Sequence, residues 1–200
     1  MKKNKTVLIF VFDGFADWEI AHASVGIRKS NVYTIKTIAL TKAPVVSMGG
    51  LQVLPDLDFI PEVDLCDIDG SNTAMLILPG GSMWEQQKNH MINCLVAHCL
   101  KCNIPVASIC GSTVMLADMG LLNNVLHTSN DVDYLKFLSP TYEGCEFYRS
   151  YQVVQDQNII TATGTASIEF ARTIFETLNI DHEENLMNWF QYFNTINLCE

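Results

Sequence analysis

The segment Ser108-Ile109-Cys110-Gly111-Ser112 sets a thiol between small residues two positions to either side. That spacing suits a sharp strand-to-helix turn, where the backbone closes on itself and the apex side chain is forced outward. A helix beginning directly after the apex would aim its N-terminal dipole at the sulfur, lowering the thiol pKa and activating Cys110 as a nucleophile. Cysteine is also common in protein cores, so a buried structural thiol at a strand end is the competing reading of the residue alone. Pro79-Gly80-Gly81 follows an apolar run. The N–H groups of Gly80 and Gly81, with that of Gly111, could form an oxyanion hole, although a proline-glycine pair also marks an ordinary turn. Glu19 would supply a carboxyl that hydrogen-bonds the thiol and is held protonated by burial beside it. The alternative for Glu19 is an exposed helical glutamate.

The histidines are His22, His90, His98, His127 and His182. His127 is the candidate base after the turn. His22 lies one helical turn beyond Glu19 and could share its face. His90, Cys94, His98 and Cys102 recur at four-residue steps, but such a stripe drifts about 40° per step on a helix, so the four cannot converge on one metal ion. Cys99 and Cys102 form a CxxC at a helix C-terminus, whereas an activated pair needs the N-terminus. No metal and no cofactor is expected.

The elements that must position these groups follow from hydrophobic pattern. Continuous apolar runs at Val7–Phe12, Ala74–Leu78, Val106–Ile109 and Ile159–Ala162 predict buried strands, and Tyr33–Leu40 a further one. Helical spacing predicts helices over Phe15–Arg28, Trp84–Cys102, Ser112–Met119, Ala166–Leu178 and His182–Phe193. Pro44–Phe59 reads as short extended pieces, and Tyr142–Gln155 as a small edge hairpin. Alternating strands and helices predict a single α/β domain over residues 1–200, with a mainly parallel sheet covered on both faces. Ligands bind beyond the carboxyl ends of such strands. The turns carrying Glu19, Gly80, Cys110 and Gly164 would then share one rim.

Seven cysteines in a chain with no secretory pattern at its start predict free thiols and a cytoplasmic setting. Twelve basic against 22 acidic residues give a net charge of −10, which excludes nucleic acid and anionic membranes as natural partners. A 48% hydrophobic composition supports a full core.

Four segments occur in this order: Phe12-Asp13-Gly14-Phe15-Ala16-Asp17-Trp18-Glu19, Leu78-Pro79-Gly80-Gly81, Ala107-Ser108-Ile109-Cys110-Gly111-Ser112-Thr113 and Ile160 to Ala171. Together they resemble the ThiJ/PfpI family of the class I glutamine amidotransferase-like superfamily, which includes intracellular proteases or amidases and protein deglycases. The resemblance spans about Lys5 to Leu178. It implies a flavodoxin-like three-layer sandwich with a nucleophile-elbow cysteine, in which Cys110 is the nucleophile and Glu19 its carboxyl partner. Gly80, Gly81 and Gly111 would line the pocket, and the chain would form a homodimer. The chain also departs from the family. Gly111 stands where protease-like members carry histidine, and Asn130 stands where deglycase-like members carry one. His182-Glu183-Glu184 lacks the spacing of the amidotransferase His-x-Glu pair.

No Cys-His-Glu hydrolytic triad is therefore evident. The expected activity is cysteine-dependent chemistry on reactive carbonyls or amides, with a small-molecule substrate or oxidant as partner. The alternatives are a redox sensor acting through oxidation of Cys110 and a binding protein that keeps the fold with a quiet site.

Overall fold

The computed structural model describes residues 5–59, 65, 68–86 and 88–194. Its strands are β1 (Thr6–Phe10), β2 (Thr34–Ala39), β3 (Val45–Val46), β4 (Gln52–Val53), β5 (Leu57–Asp58), β6 (Thr73–Leu78), β7 (Val106–Ile109), β8 (Val153–Asp156) and β9 (Ile159–Ala162). Its helices are α1 (Asp17–Ser30), α2 (Ser82–Glu85), α3 (Asn93–Lys101), α4 (Ser112–Asp118), α5 (Val132–Leu138), α6 (Ser167–Leu178) and α7 (Glu183–Asn194). Seven strands form one sheet in the order β5-β2-β1-β6-β7-β9-β8, parallel throughout except for β8 against β9. Helices cover both faces, as the alternating pattern predicts. The long apolar runs become the central strands: Val7, Phe10, Leu76, Ile77, Val106 and Ile109 have no measurable exposure or at most 1%.

Strand order explains where a site can form. The chain runs outward from β1 through β2 to β5, then returns to the other side of β1 as β6. The connections leave β1 and β6 in opposite directions, opening a crevice at the carboxyl ends of these strands. The next strands in the sheet, β7 and β9, extend the same rim, so the four turns singled out in the sequence are neighbours.

Three local expectations change. The helix predicted over Trp84–Cys102 is broken into α2, a single 3₁₀ turn at His90–Ile92 and α3. Trp84 anchors the first piece: its Nε1 donates to Pro79 O at 2.8 Å and its ring packs on Phe10 and Phe12. The second piece starts afresh to bury Leu95, Val96 and Cys99 against the sheet. His90 is consequently not on the helix that carries Cys94 and His98. The edge hairpin lies at Val153–Ala162 rather than within Tyr142–Gln155, because Gln157 takes the left-handed turn conformation (φ 50°). Helix α5 was absent from the hydrophobic reading; it is capped by Asp131, whose side chain accepts from Asp133 N–H at 2.7 Å. Cys66 and Cys199 lie outside the described residues. Cys94, Cys99, Cys102, Cys110 and Cys145 are free thiols.

Among the described residues no helix is long and apolar enough to cross a membrane.

Candidate active site

Cys110 stands between β7 and α4 with φ of 61°, the left-handed region that a non-glycine residue rarely occupies. A backbone in that state persists only when its surroundings hold it. Here the hold comes from hydroxyls. Ser112 Oγ accepts from Ile109 N–H at 3.0 Å, lies 2.8 Å from both Leu78 O and Ile109 O, and is 2.7 Å from Ser108 Oγ. Thr113 Oγ1 donates to Cys110 O at 2.6 Å and is 2.7 Å from Ser129 Oγ. Cys110 N–H donates to Ala162 O at 3.0 Å, tying the turn to β9. The small residues flanking Cys110 thus serve as fasteners as well as leaving room.

Glu19 is fully buried on the first turn of α1. Gly80 N–H donates to its Oε2 at 2.6 Å, while the buried Oε1 has no hydrogen-bond partner among the described residues and lies in the slot beside Cys110. Both side chains lie in a slot between two glycines. A Cβ at Gly80 would come within 2.6 Å of Cys110 Cβ and 2.8 Å of Glu19 Oε2; one at Gly164 would come within 2.8 Å of Cys110 Sγ and 3.2 Å of Glu19 Oε1. Gly81, at φ 147°, approaches Gly14 O so closely that a Cβ would be only 2.6 Å away. The Gly80 N–H is therefore already committed to Glu19, which takes it out of the expected oxyanion hole. Gly81 and Gly111 remain as backbone donors, and the Gly111 N–H acts on the sulfur itself.

Two expectations about charge have different outcomes. Burial pushes the Glu19 carboxyl up to about 7, against the opposing pull of the Gly80 N–H and the Cys110 thiol. The Cys110 thiol moves opposite to the expected direction. Burial and the adjacent Glu19 carboxylate push it up to about 11, although Asn130 and the Gly111 N–H favour the thiolate. Helix α4 has only seven residues, and its dipole is outweighed by burial next to a carboxylate. The pair thus titrates as a unit and holds one shared proton between about pH 7 and 11.

His127 is not brought to the sulfur. Its Nδ1 donates to Val125 O at 2.7 Å, so its Nε2 accepts from the Tyr142 hydroxyl at 2.6 Å. The ring is fully buried and packs on Tyr142 and Tyr148, and burial lowers its pKa. His22 turns instead toward Trp189 and Phe193. Among the described residues no group of three or more His, Cys, Asp or Glu side chains is arranged to hold a metal ion.

What reaches the sulfur is Asn130. Its Nδ2 lies 3.4 Å from Cys110 Sγ and its Oδ1 accepts from Gly164 N–H at 2.9 Å. Tyr134 on α5 acts on the same region, with its hydroxyl donating to Glu85 Oε1 at 2.9 Å. The sequence places Gly164 on the rim and Asn130 at a position where deglycase-like members carry histidine without giving either a role, and it assigns none to Tyr134 or Glu85. The capping pattern Asn130-Asp131-Val132, with apolar residues at Leu135 and Leu138, was the available signal for the helix that carries Tyr134.

The Glu19 shift has a sign that can be tested. Its folded value lies above the unfolded value of 4.5, so the native state binds more protons between pH 4.5 and 7. The stability associated with neutral Glu19 is full below pH 4.5 and lost as pH rises through 7, with a limit of about 3 kcal/mol. Glu19→Gln keeps an acceptor for Gly80 N–H and abolishes the titration. The variant is expected to match the natural chain in urea unfolding at pH 5 and exceed it at pH 8; a pH-independent difference would refute the shift.

Residues 5–177 match the model of the DJ-1/PfpI family. The Bacillus subtilis protein YoaZ, described as an uncharacterized protease, is 30% identical over 96% of this chain and 92% of its own. YdeA of the same organism, described likewise, is 31% identical over 98% and 95%. Among solved structures, a DJ-1 superfamily protein of Agrobacterium tumefaciens superposes with a TM-score of 0.83 at 30% identity, covering 94% of this chain and 97% of that one. A ThiJ/PfpI family protein of Bacillus anthracis gives 0.84 at 28% identity, covering 98% and 92%. These relatives share the flavodoxin-like sandwich, and the chain belongs to the DJ-1/PfpI family.

Proposed function

We propose that this protein is a cysteine-dependent enzyme that adds the Cys110 sulfur to small reactive carbonyl compounds, glyoxals among them, with Glu19 as proton acceptor. The observation that carries the reading is the half-buried Cys110 thiol set beside the fully buried Glu19 carboxyl between Gly80 and Gly164. With Glu19 held near pH 7, its carboxylate is a base matched to neutral solution. Attack forms a sulfur–carbon bond while the thiol proton passes to Glu19. The carbonyl π electrons move to oxygen, which the N–H groups of Gly81 and Gly111 can meet. Neutral Glu19 then returns the proton to that oxygen, giving a hemithioacetal; for a glyoxal, moving the carbon-bound hydrogen to the neighbouring carbonyl carbon gives a thioester, and water hydrolyses it to a hydroxy acid, restoring the thiol.

This addition has no leaving group, so one carboxyl suffices. Amide cleavage would also require a proton for the departing nitrogen, work usually done by imidazole. The groups acting on Cys110 are Glu19, Asn130 and Gly111, and His127 is engaged elsewhere. The description of YoaZ and YdeA as proteases would favour amide hydrolysis; the proton inventory favours carbonyl addition. Consumption of glyoxal by purified protein is expected to fall at least 100-fold in Cys110→Ala. Full activity in that variant would sink the reading, and cleavage of a peptide amide at a comparable rate would replace it.

A second reading, redox sensing through a sulfinic acid at Cys110, is supported by the donors that surround the sulfur. Under graded peroxide, mass spectrometry should find Cys110 oxidised before the exposed Cys145. Equal oxidation of the two would eliminate this role.

The expected homodimer has a candidate face. Trp18 is 51% exposed, Met48 51% and Leu51 59%. Asp17 holds the β3–β4 hairpin to α1 through Ser47 Oγ at 2.9 Å and Gly49 N–H at 3.3 Å, so the three exposed residues stand on two elements fastened to each other. Light scattering should report a dimer that Met48→Asp dissociates; an unaltered dimer in that variant would place the interface elsewhere.

A further inference from the structure

The proposed addition uses Glu19 and gives no role to Asn130, whose amide nitrogen also lies at hydrogen-bond distance from the sulfur. Gly164 N–H is a donor, so the Asn130 atom 2.9 Å from it must be the carbonyl Oδ1. The atom 3.4 Å from Cys110 Sγ is then the amide nitrogen, which can only donate. An amide nitrogen has two hydrogens. One faces the sulfur, and the other is left for the Tyr134 oxygen, whose ionisation Asn130 eases. The Tyr134 hydroxyl donates its hydrogen to Glu85 Oε1 at 2.9 Å. The phenol oxygen therefore keeps its lone pairs for Asn130.

We propose that Asn130 donates a hydrogen bond to the thiolate that develops on Cys110, and that Tyr134, itself oriented by Glu85, is the positioning residue that aims this donor. The assignment rests on the reading of Cys110 as a nucleophile. It gives each end of the proton transfer its own group: Glu19 removes the proton and Asn130 stabilises the charge left behind. Asn130 touches the reacting sulfur, whereas Tyr134 and Glu85 act through it. Glu85 sits on α2 and Tyr134 on α5, so two elements outside the sheet cooperate in one contact. Asn130 is exposed to solvent, which puts its effect at the low end for a hydrogen bond to a charged group, about tenfold in thiol reactivity.

The test is alkylation of the full chain by iodoacetamide from pH 6 to 10, followed on the Cys110 peptide by mass spectrometry. Exposed Cys145 in the same sample is the internal reference. Asn130→Ala should slow Cys110 about tenfold at neutral pH and move its pH profile upward. Tyr134→Phe, which removes one hydroxyl, should act in the same direction and add nothing in the Asn130→Ala background, because both break one chain of contacts. Glu85→Gln retains an acceptor and should restore the natural profile, whereas Glu85→Ala should resemble Tyr134→Phe. An unchanged profile in Tyr134→Phe, or full additivity with Asn130→Ala, would overturn the assignment. Thermal unfolding of each variant separates these outcomes from loss of fold. Failure of the natural protein to consume glyoxal would end the proposed reaction without altering these alkylation rates, so the two ideas fail separately.

Discussion

The left-handed backbone of Cys110 is the constraint around which the rest of the site is arranged. A non-glycine residue in that conformation is strained by about 1–3 kcal/mol, and without support the chain would relax and swing the thiol away. The support comes from several elements at once: β6 through Leu78 O, β9 through Ala162 O, α4 through Ser112 and Thr113, and the α5 approach through Ser129. A parallel sheet can provide this because it aligns the ends of adjacent strands. The chemistry at the rim therefore depends on strand order, which no single segment contains.

Within that frame the sulfur and the carboxyl are confined by glycines. Gly80 and Gly164 provide walls with no Cβ, and any side chain there would enter the space of Cys110 and Glu19. Gly80 does a second job by donating to Oε2, which fixes the direction of Oε1. The result is a carboxyl and a thiol whose separation is set by packing, which in the proposed reaction would leave little freedom to lose on reaching the transition state.

Much of this was legible in the residues. The strands read out because buried parallel strands are apolar throughout, and the elbow because small residues bracket Cys110. Glu19 was legible only through its motif; its residue type alone suggests solvent, and its burial depends on packing from α1 to the sheet. The role of Gly80 N–H was misread because a glycine turn does not reveal which acceptor it will meet. The thiol pKa was misjudged for a related reason. A dipole can be inferred from a helix start, but burial beside a carboxylate is a tertiary property. His127 stands out in the sequence as the candidate base after the elbow, yet its tautomer is fixed by Val125 and Tyr142. Asn130 was identified as the residue standing where relatives carry histidine, but its amide orientation required the position of Gly164.

The buried carboxyl of Glu19 also sets a conflict between durability and chemistry. Ionised at slightly alkaline pH, it weakens the native state, and its isosteric amide would relieve that strain while removing the base. Selection for heat resistance above pH 7 would therefore favour chains that had lost the proton acceptor, and a thermally improved variant from such a screen would be suspect at this position first. On the proposed reaction, Glu19 is a compromise in which the fold tolerates a local instability in exchange for a base at the sulfur.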